Sequence, residues 1–169
     1  VDFANIQFPT SGEITEGTSF EVFAQTYEPG TEDPGQLAGI EAWIGYSSEN
    51  TNPSGGDWTW IPATFNTQFN NNDEHKATIP NTLAPGTYYY ASRFKKAGSE
   101  EFKYGGIGTE DDFWNNSNGT LIINPDVVDY ANIQFPLSGT INEGTAFEVF
   151  AQTYEPGTEP LGPLAGIEA

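Results

Sequence analysis

The segment VDFANIQFP at residues 1–9 returns as VDYANIQFP at 128–136, and the match continues from 1–42 to 128–169 with 34 of 42 positions identical. A repeat at a fixed spacing of 127 residues constrains this chain more than any other feature. Each period must close its own core, and successive copies must be joinable end to end. One period has the ordinary size of a single domain. The 42 residues of the second copy are too few to bury a core without disulfides, a metal or a partner. The chain therefore reads as an excerpt of a longer array, a complete domain at 1–127 followed by the N-terminal third of a second copy at 128–169. The strand edges of that third would pair with neighbouring copies of the repeat, by strand pairing between chains among other routes. Three of the eight differences fall in one turn (Asp33/Pro160, Pro34/Leu161, Gln36/Pro163), while FEVFAQTYEPGT is kept on both faces. Recent duplication accounts for this, so identity between copies does not separate core from surface.

Within the period no stretch sustains the 3.6-residue apolar spacing of an amphipathic helix. Short β-branched and aromatic runs alternate instead with turn phrases such as PTSGE, EPGTEDPGQ, ENTNPSGGD, NNND, LAPGT and NSNGT. Strands are expected near 2–8, 18–28, 38–47, 57–65, 74–79, 87–95, 100–105 and 119–124. Seven or eight short strands in a period of this length predict an all-β antiparallel sandwich. The connector NPDV at 124–127 is short and carries a proline, which predicts little slack between copies.

LAPGTYYYASRF at 83–94 resembles the L-x-PGT-x-Y phrase before the sixth strand of fibronectin type III and related immunoglobulin-like domains. The resemblance implies an inward tyrosine that hydrogen-bonds to upstream backbone, a role its spacing gives to Tyr89. Alternation from Tyr89 puts Arg93 on the same side, so the other inward set, Tyr88, Tyr90 and Phe94, stays open. AGIEAWIGYSSENTNP, WIPATFN…NNDE and GTYYYASRF are similar to modules found in tandem in secreted or cell-surface proteins of Bacteroidota-type bacteria. That likeness implies an extracellular or cell-surface location. Trp43, in EAWIGY, falls in the third expected strand, where such domains bury a tryptophan, and is expected in the core.

Twenty-four acidic against five basic residues give a formal net charge of −19. Such a chain repels nucleic acid and anionic membranes, since phosphate binding needs clustered lysine and arginine. No apolar run approaches the length of a membrane crossing. Cysteine is absent, which removes disulfides and thiolate metal sites.

The chemistry-bearing residues are few. His75 is the one histidine, and in NNNDEHK it stands beside Asp73 and Glu74, which a strand would send to alternate faces; a solvated turn is the plainer reading. No nucleophile elbow is present and no carboxylate pair is singled out, so a non-catalytic chain is expected. Calcium is the one cofactor considered. Its oxygen donors could come from TED at 31–33, from Asp73, from Asp111 and Asp112, or from Asp126 and Asp129 at the junction of the copies. No EF-hand or nonapeptide pattern supports it, and Asp33 becomes Pro160 in the second copy.

Trp58 and Trp60 sit at i and i+2, so one strand face carries both. If Ile61 points to the core, the two indoles stand together outside and can stack on sugar rings; if they pack inward, they are core. Trp114 amid Asn115 and Asn116 has a similar sugar-binding composition. Two functions follow as expectations: a structural or adhesive repeat of an extracellular stalk, fibre or filament, and, as the alternative, a carbohydrate-binding module of a secreted glycan-degrading protein. Exposed, near-coplanar indoles favour the second, and buried ones favour the first.

Overall fold

The structure is a computed structural model that describes residues 1–108 and 117–156. The first compact unit, Val1–Pro125, is an all-β sandwich. One sheet has the order β1 (Phe3–Phe8), β3 (Phe20–Tyr27), β7 (Asn72–Ile79), β6 (Thr64–Phe69), all antiparallel. The other runs β2 (Ser11–Thr15), β10 (Gly119–Asn124), β8 (Gly86–Lys96), β4 (Ile40–Ser47), β5 (Thr59–Pro62), with β9 (Lys103–Gly105) paired to β8. In this sheet β2 lies parallel to β10 and the other pairs are antiparallel.

The core is built by alternation on both sheets. Val22 and Ala24 of β3, Ala77 and Ile79 of β7, Ala42 and Ile44 of β4, Tyr90 and Phe94 of β8, and Leu121 and Ile123 of β10 all point into the space between. Fully burying one such aliphatic side chain stabilises the fold by roughly 1.5–3 kcal/mol. Gly119 lies under the ring of Tyr90: a Cβ there would stand 2.1 Å from it. Gly105 brings β9 so close to β1 that a Cβ would stand 2.5 Å from the Ala4 and Asn5 backbone.

Three expectations need correction. The PTSGE turn contains strand β2, which leans on β10, a partner distant in sequence. The run at 57–65 divides between the sheets, β5 joining one and β6 the other. Asp73 and His75 are not in a solvated turn. The turn is at Asn70, which has φ of 56°, and both side chains lie on the inner face of β7 at 0% and 1% exposure. Glu74 points the other way, and its Oε1 accepts a hydrogen bond from Asn66 Nδ2.

The second compact unit, Asp126–Ala169, holds β11 (Tyr130–Phe135) antiparallel to β12 (Phe150–Tyr154). Tyr130 faces Tyr154, Ile133 faces Ala151 and Phe135 faces Phe150, with a bulge between the last two pairs. In the first unit Phe3 faces Tyr27, Ile6 faces Ala24 and Phe8 faces Phe23, with the same bulge. The second copy thus restarts the fold in register. Ile6 is 2% exposed and its counterpart Ile133 56%, because no facing sheet covers the latter among the described residues.

Candidate functional site

The outer face of the larger sheet of the first unit carries a group of aromatic residues. Pairing fixes which side chains share it: Trp43 faces Arg93, Gly45 faces Trp60 and Ala91, and Tyr104 faces Arg93. These residues alternate with the inward Ala42, Ile44 and Phe94. Trp43 is therefore not a core tryptophan, as the sequence had suggested; its register puts it outside, half-buried, edge-on to Phe102 at 5.5 Å. Ile61 does pack against the core. Accordingly Trp58 and Trp60 sit together outside, their rings stacked at 5.9 Å with 26° between planes.

The two indoles are not equally accessible. Trp60 lies flat across Gly45, where a Cβ would come within 2.6 Å of the ring, and it is half-buried. Trp58 is only 8% exposed. It does not belong to the central core cluster; its Nε1 donates to Thr51 Oγ1 at 3.3 Å, in the loop before it. A free two-indole platform does not form. A broader strip does, in which Trp60, Trp43, Phe102 and Tyr104 each keep part of their surface outward.

Arg93 stands in the middle of this strip. Its guanidinium carbon is 4.2 Å from the Trp60 ring centroid, 4.3 Å from Phe102 and 5.1 Å from Trp43. Planar guanidinium over aromatic faces is a favourable cation–π geometry. Burial pulls the guanidinium pKa below its ordinary value, with Tyr104 opposing that shift by charge and hydrogen bonding. The Nε atom is buried without a hydrogen-bond partner. Next to it Lys95 lies 5.3 Å from the Phe102 ring and pairs with Glu41 at 3.6 Å. A cavity of about 200 Å³, sharing only Phe102 with the strip, is lined by Val1, Lys96, Ser99, Glu101, Phe102 and Lys103. The sequence alone did not assign Arg93, Phe102 and Tyr104 to a site: alternation along 86–96 left two inward sets open, one of them with Arg93 in it, and only strand pairing puts Arg93 outside.

The tyrosine role divides differently from the motif. Tyr89 is on the outer side of β8, opposite Ser47, and half-buried. Tyr88 Oη donates to the Ala84 carbonyl at 3.1 Å, while Tyr90 is fully buried and donates to the Pro9 carbonyl at 2.7 Å. The inward set is Tyr88, Tyr90 and Phe94.

Of the calcium candidates, Asp73 is committed inside the core: its Oδ2 accepts the Leu37 N–H at 2.8 Å, and burial pushes its pKa up. Asp126 and Asp129 are exposed, and the Asp129 N–H donates to Glu155 at 3.3 Å. No group of three or more carboxylate or imidazole side chains that could hold a metal ion occurs among the described residues. Trp114, Asn115, Asn116, Asp111 and Asp112 lie outside the described residues.

No family model matches the sequence, and no curated protein matches it. Solved structures do. A cycloalternan-forming enzyme of Listeria monocytogenes, in complex with a pentasaccharide substrate, aligns with 82% of this chain at 14% identity and a TM-score of 0.41. An uncharacterized protein of Listeria monocytogenes EGD-e, in complex with α-D-glucose, β-D-glucose, magnesium and calcium, aligns with 82% at 15% identity and 0.41. The chain spans 11% of the length of each.

Proposed function

We propose that this chain is a non-catalytic β-sandwich module of an extracellular protein, repeated in tandem, which binds carbohydrate on the outer face of its larger sheet. The observation that supports this reading is the aromatic strip of Trp43, Trp60, Phe102 and Tyr104. Aromatic side chains brought together on one sheet face offer ring surface to the C–H faces of sugars, with polar edges beside it. A module of this kind holds substrate near a catalytic domain elsewhere in the same protein. The test is affinity electrophoresis of the chain through gels containing soluble polysaccharides, comparing it with Trp60→Ala. Retardation that the substitution abolishes supports the reading; equal mobility in every glycan gel rejects it.

A second reading, a structural or adhesive repeat of a stalk or fibre, is favoured by the in-register restart of the fold at β11 and β12. It is compatible with the first, because arrayed modules multiply weak glycan contacts through avidity. Small-angle scattering of a chain with three or more repeats tests it: a rod whose length grows in proportion to copy number is expected, and a compact or freely jointed particle rejects it.

A further inference from the structure

We infer that the outer face selects an acidic sugar, with Arg93 as the partner of a uronate carboxylate; the inference rests on the carbohydrate-binding reading above.

Arg93 is the only arginine in a chain with 24 acidic residues. Carboxylates are abundant, and the lysines beside it on β8 have taken them: Lys95 pairs with Glu41 and Lys96 with Glu28. Arg93 makes no ion pair among the described residues. It lies among Trp60, Phe102 and Trp43, which fix its plane without neutralising its charge. A partly desolvated guanidinium lacking an anion is an incomplete pair, and its fork of N–H donors matches a carboxylate in two-point geometry. The rings that hold it are the same ones a sugar would contact, so the chemistry that fits is a pyranose ring bearing a carboxylate.

The overall charge of −19 does not forbid this. Exposed charges separated by more than about 8 Å are largely screened at physiological salt, whereas a direct guanidinium–carboxylate contact is not.

The experiment uses the whole chain, sodium polygalacturonate and the fully methyl-esterified form of the same polymer, by isothermal titration in 0.15 M salt, with a neutral β-glucan alongside. Esterification removes the carboxylate charge from the ligand and leaves the protein untouched. The inference expects polygalacturonate to bind about ten- to a hundredfold more tightly than its ester, the span expected for a charged hydrogen-bonded contact. It also expects Arg93→Gln to erase that difference while residual binding of the ester persists. Circular dichroism shows whether the variant is folded, and if it is not, the ester comparison on the parent chain still decides. Equal binding of both polymers, or binding of the neutral glucan alone, overturns the acidic-sugar inference and leaves the carbohydrate reading standing. Binding of none of the three, with retardation by none of the gel polysaccharides, overturns both. Concentration-dependent dimerisation lost in Arg93→Gln would assign the arginine to the acidic surface of a second copy and likewise overturn the inference.

Discussion

Replacing Tyr90 by phenylalanine isolates one long-range hydrogen bond that ties the two sheets' chain segments together. The Tyr90 ring is fully buried, seated on Gly119 and edge-on to Phe20 at 5.7 Å, and phenylalanine keeps all of that. What is lost is the 2.7 Å bond from the hydroxyl to the Pro9 carbonyl, where the chain passes from β1 to β2. A typical intramolecular bond contributes about 0.5–1.5 kcal/mol, and an acceptor left buried without a partner costs about 1–3 kcal/mol. Pro9 itself is only half-buried, so water can reach part of this region and the lower end of that range applies: about 1–1.5 kcal/mol. For a domain between the size classes of 60–100 and 150–250 residues this corresponds to a fall in Tm of roughly 3–8 °C. The control is Tyr89→Phe. Tyr89 faces outward, and its hydroxyl makes no hydrogen bond among the described residues, so a change within about 0.5 kcal/mol is expected. Urea titrations followed by tryptophan fluorescence measure both. If Tyr89→Phe were the more destabilising of the two, the inside–outside assignment of β8 would be wrong, and with it the outward placement of Arg93.

Gly105→Ala should destabilise more than either tyrosine change, by about 1–3 kcal/mol or more. Its Cβ would meet backbone of β1, which cannot rotate away, and a fall of several degrees in Tm checks it. Stability should also fall in acid. Neither His75 ring nitrogen makes a hydrogen bond of good geometry, and Phe65 and Phe94 flank the ring edge-on. Burial lowers its pKa to about 4, a weaker approach to the Asp73 backbone opposing. The unfolded chain therefore takes up a proton near pH 6.5 that the folded chain refuses until about pH 4. The contribution is full above pH 6.5, is lost progressively down to about 4, and amounts to about 3 kcal/mol. Asp73, whose folded pKa is raised, has the opposite sign and offsets part of the loss at the acid end. His75→Leu should flatten the profile between pH 6.5 and 5 in urea titrations, and an unchanged slope would rule His75 out as its source. Finally, residues 1–125 alone should melt within about 2 °C of the full chain, because every core side chain of the sandwich lies inside that unit. A large loss would show that the second copy completes the first.

What the sequence disclosed, and what it withheld, follows from the range of the interactions involved. The repeat and the turn phrases are local, and they were enough for an all-β sandwich. Strand β2 was hidden because SGEIT carries one apolar side chain, Ile14, and acquires its ladder only when β10 arrives beside it. Trp43 was misassigned for a related reason. AWI reads as core from either side, and only pairing with Arg93 on one strand and Pro62 on the other decides that the indole goes out while Ala42 and Ile44 go in. Trp58 and Trp60 were legible as a pair on one face, but not the loop that covers Trp58 nor Gly45, which lets Trp60 lie flat. Asp73 and His75 looked like turn residues by composition, since a buried acid and imidazole two residues apart defy the usual preference for apolar inward positions. Local patterns thus reported the class of fold, while the identity of the outward face depended on register, which distant strands set. Arg93 shows the consequence most sharply. In sequence it is one basic residue in YYYASRFKK; in the fold it is the guanidinium that three aromatic rings, contributed by β4, β5 and the segment preceding β9, surround without any carboxylate among them.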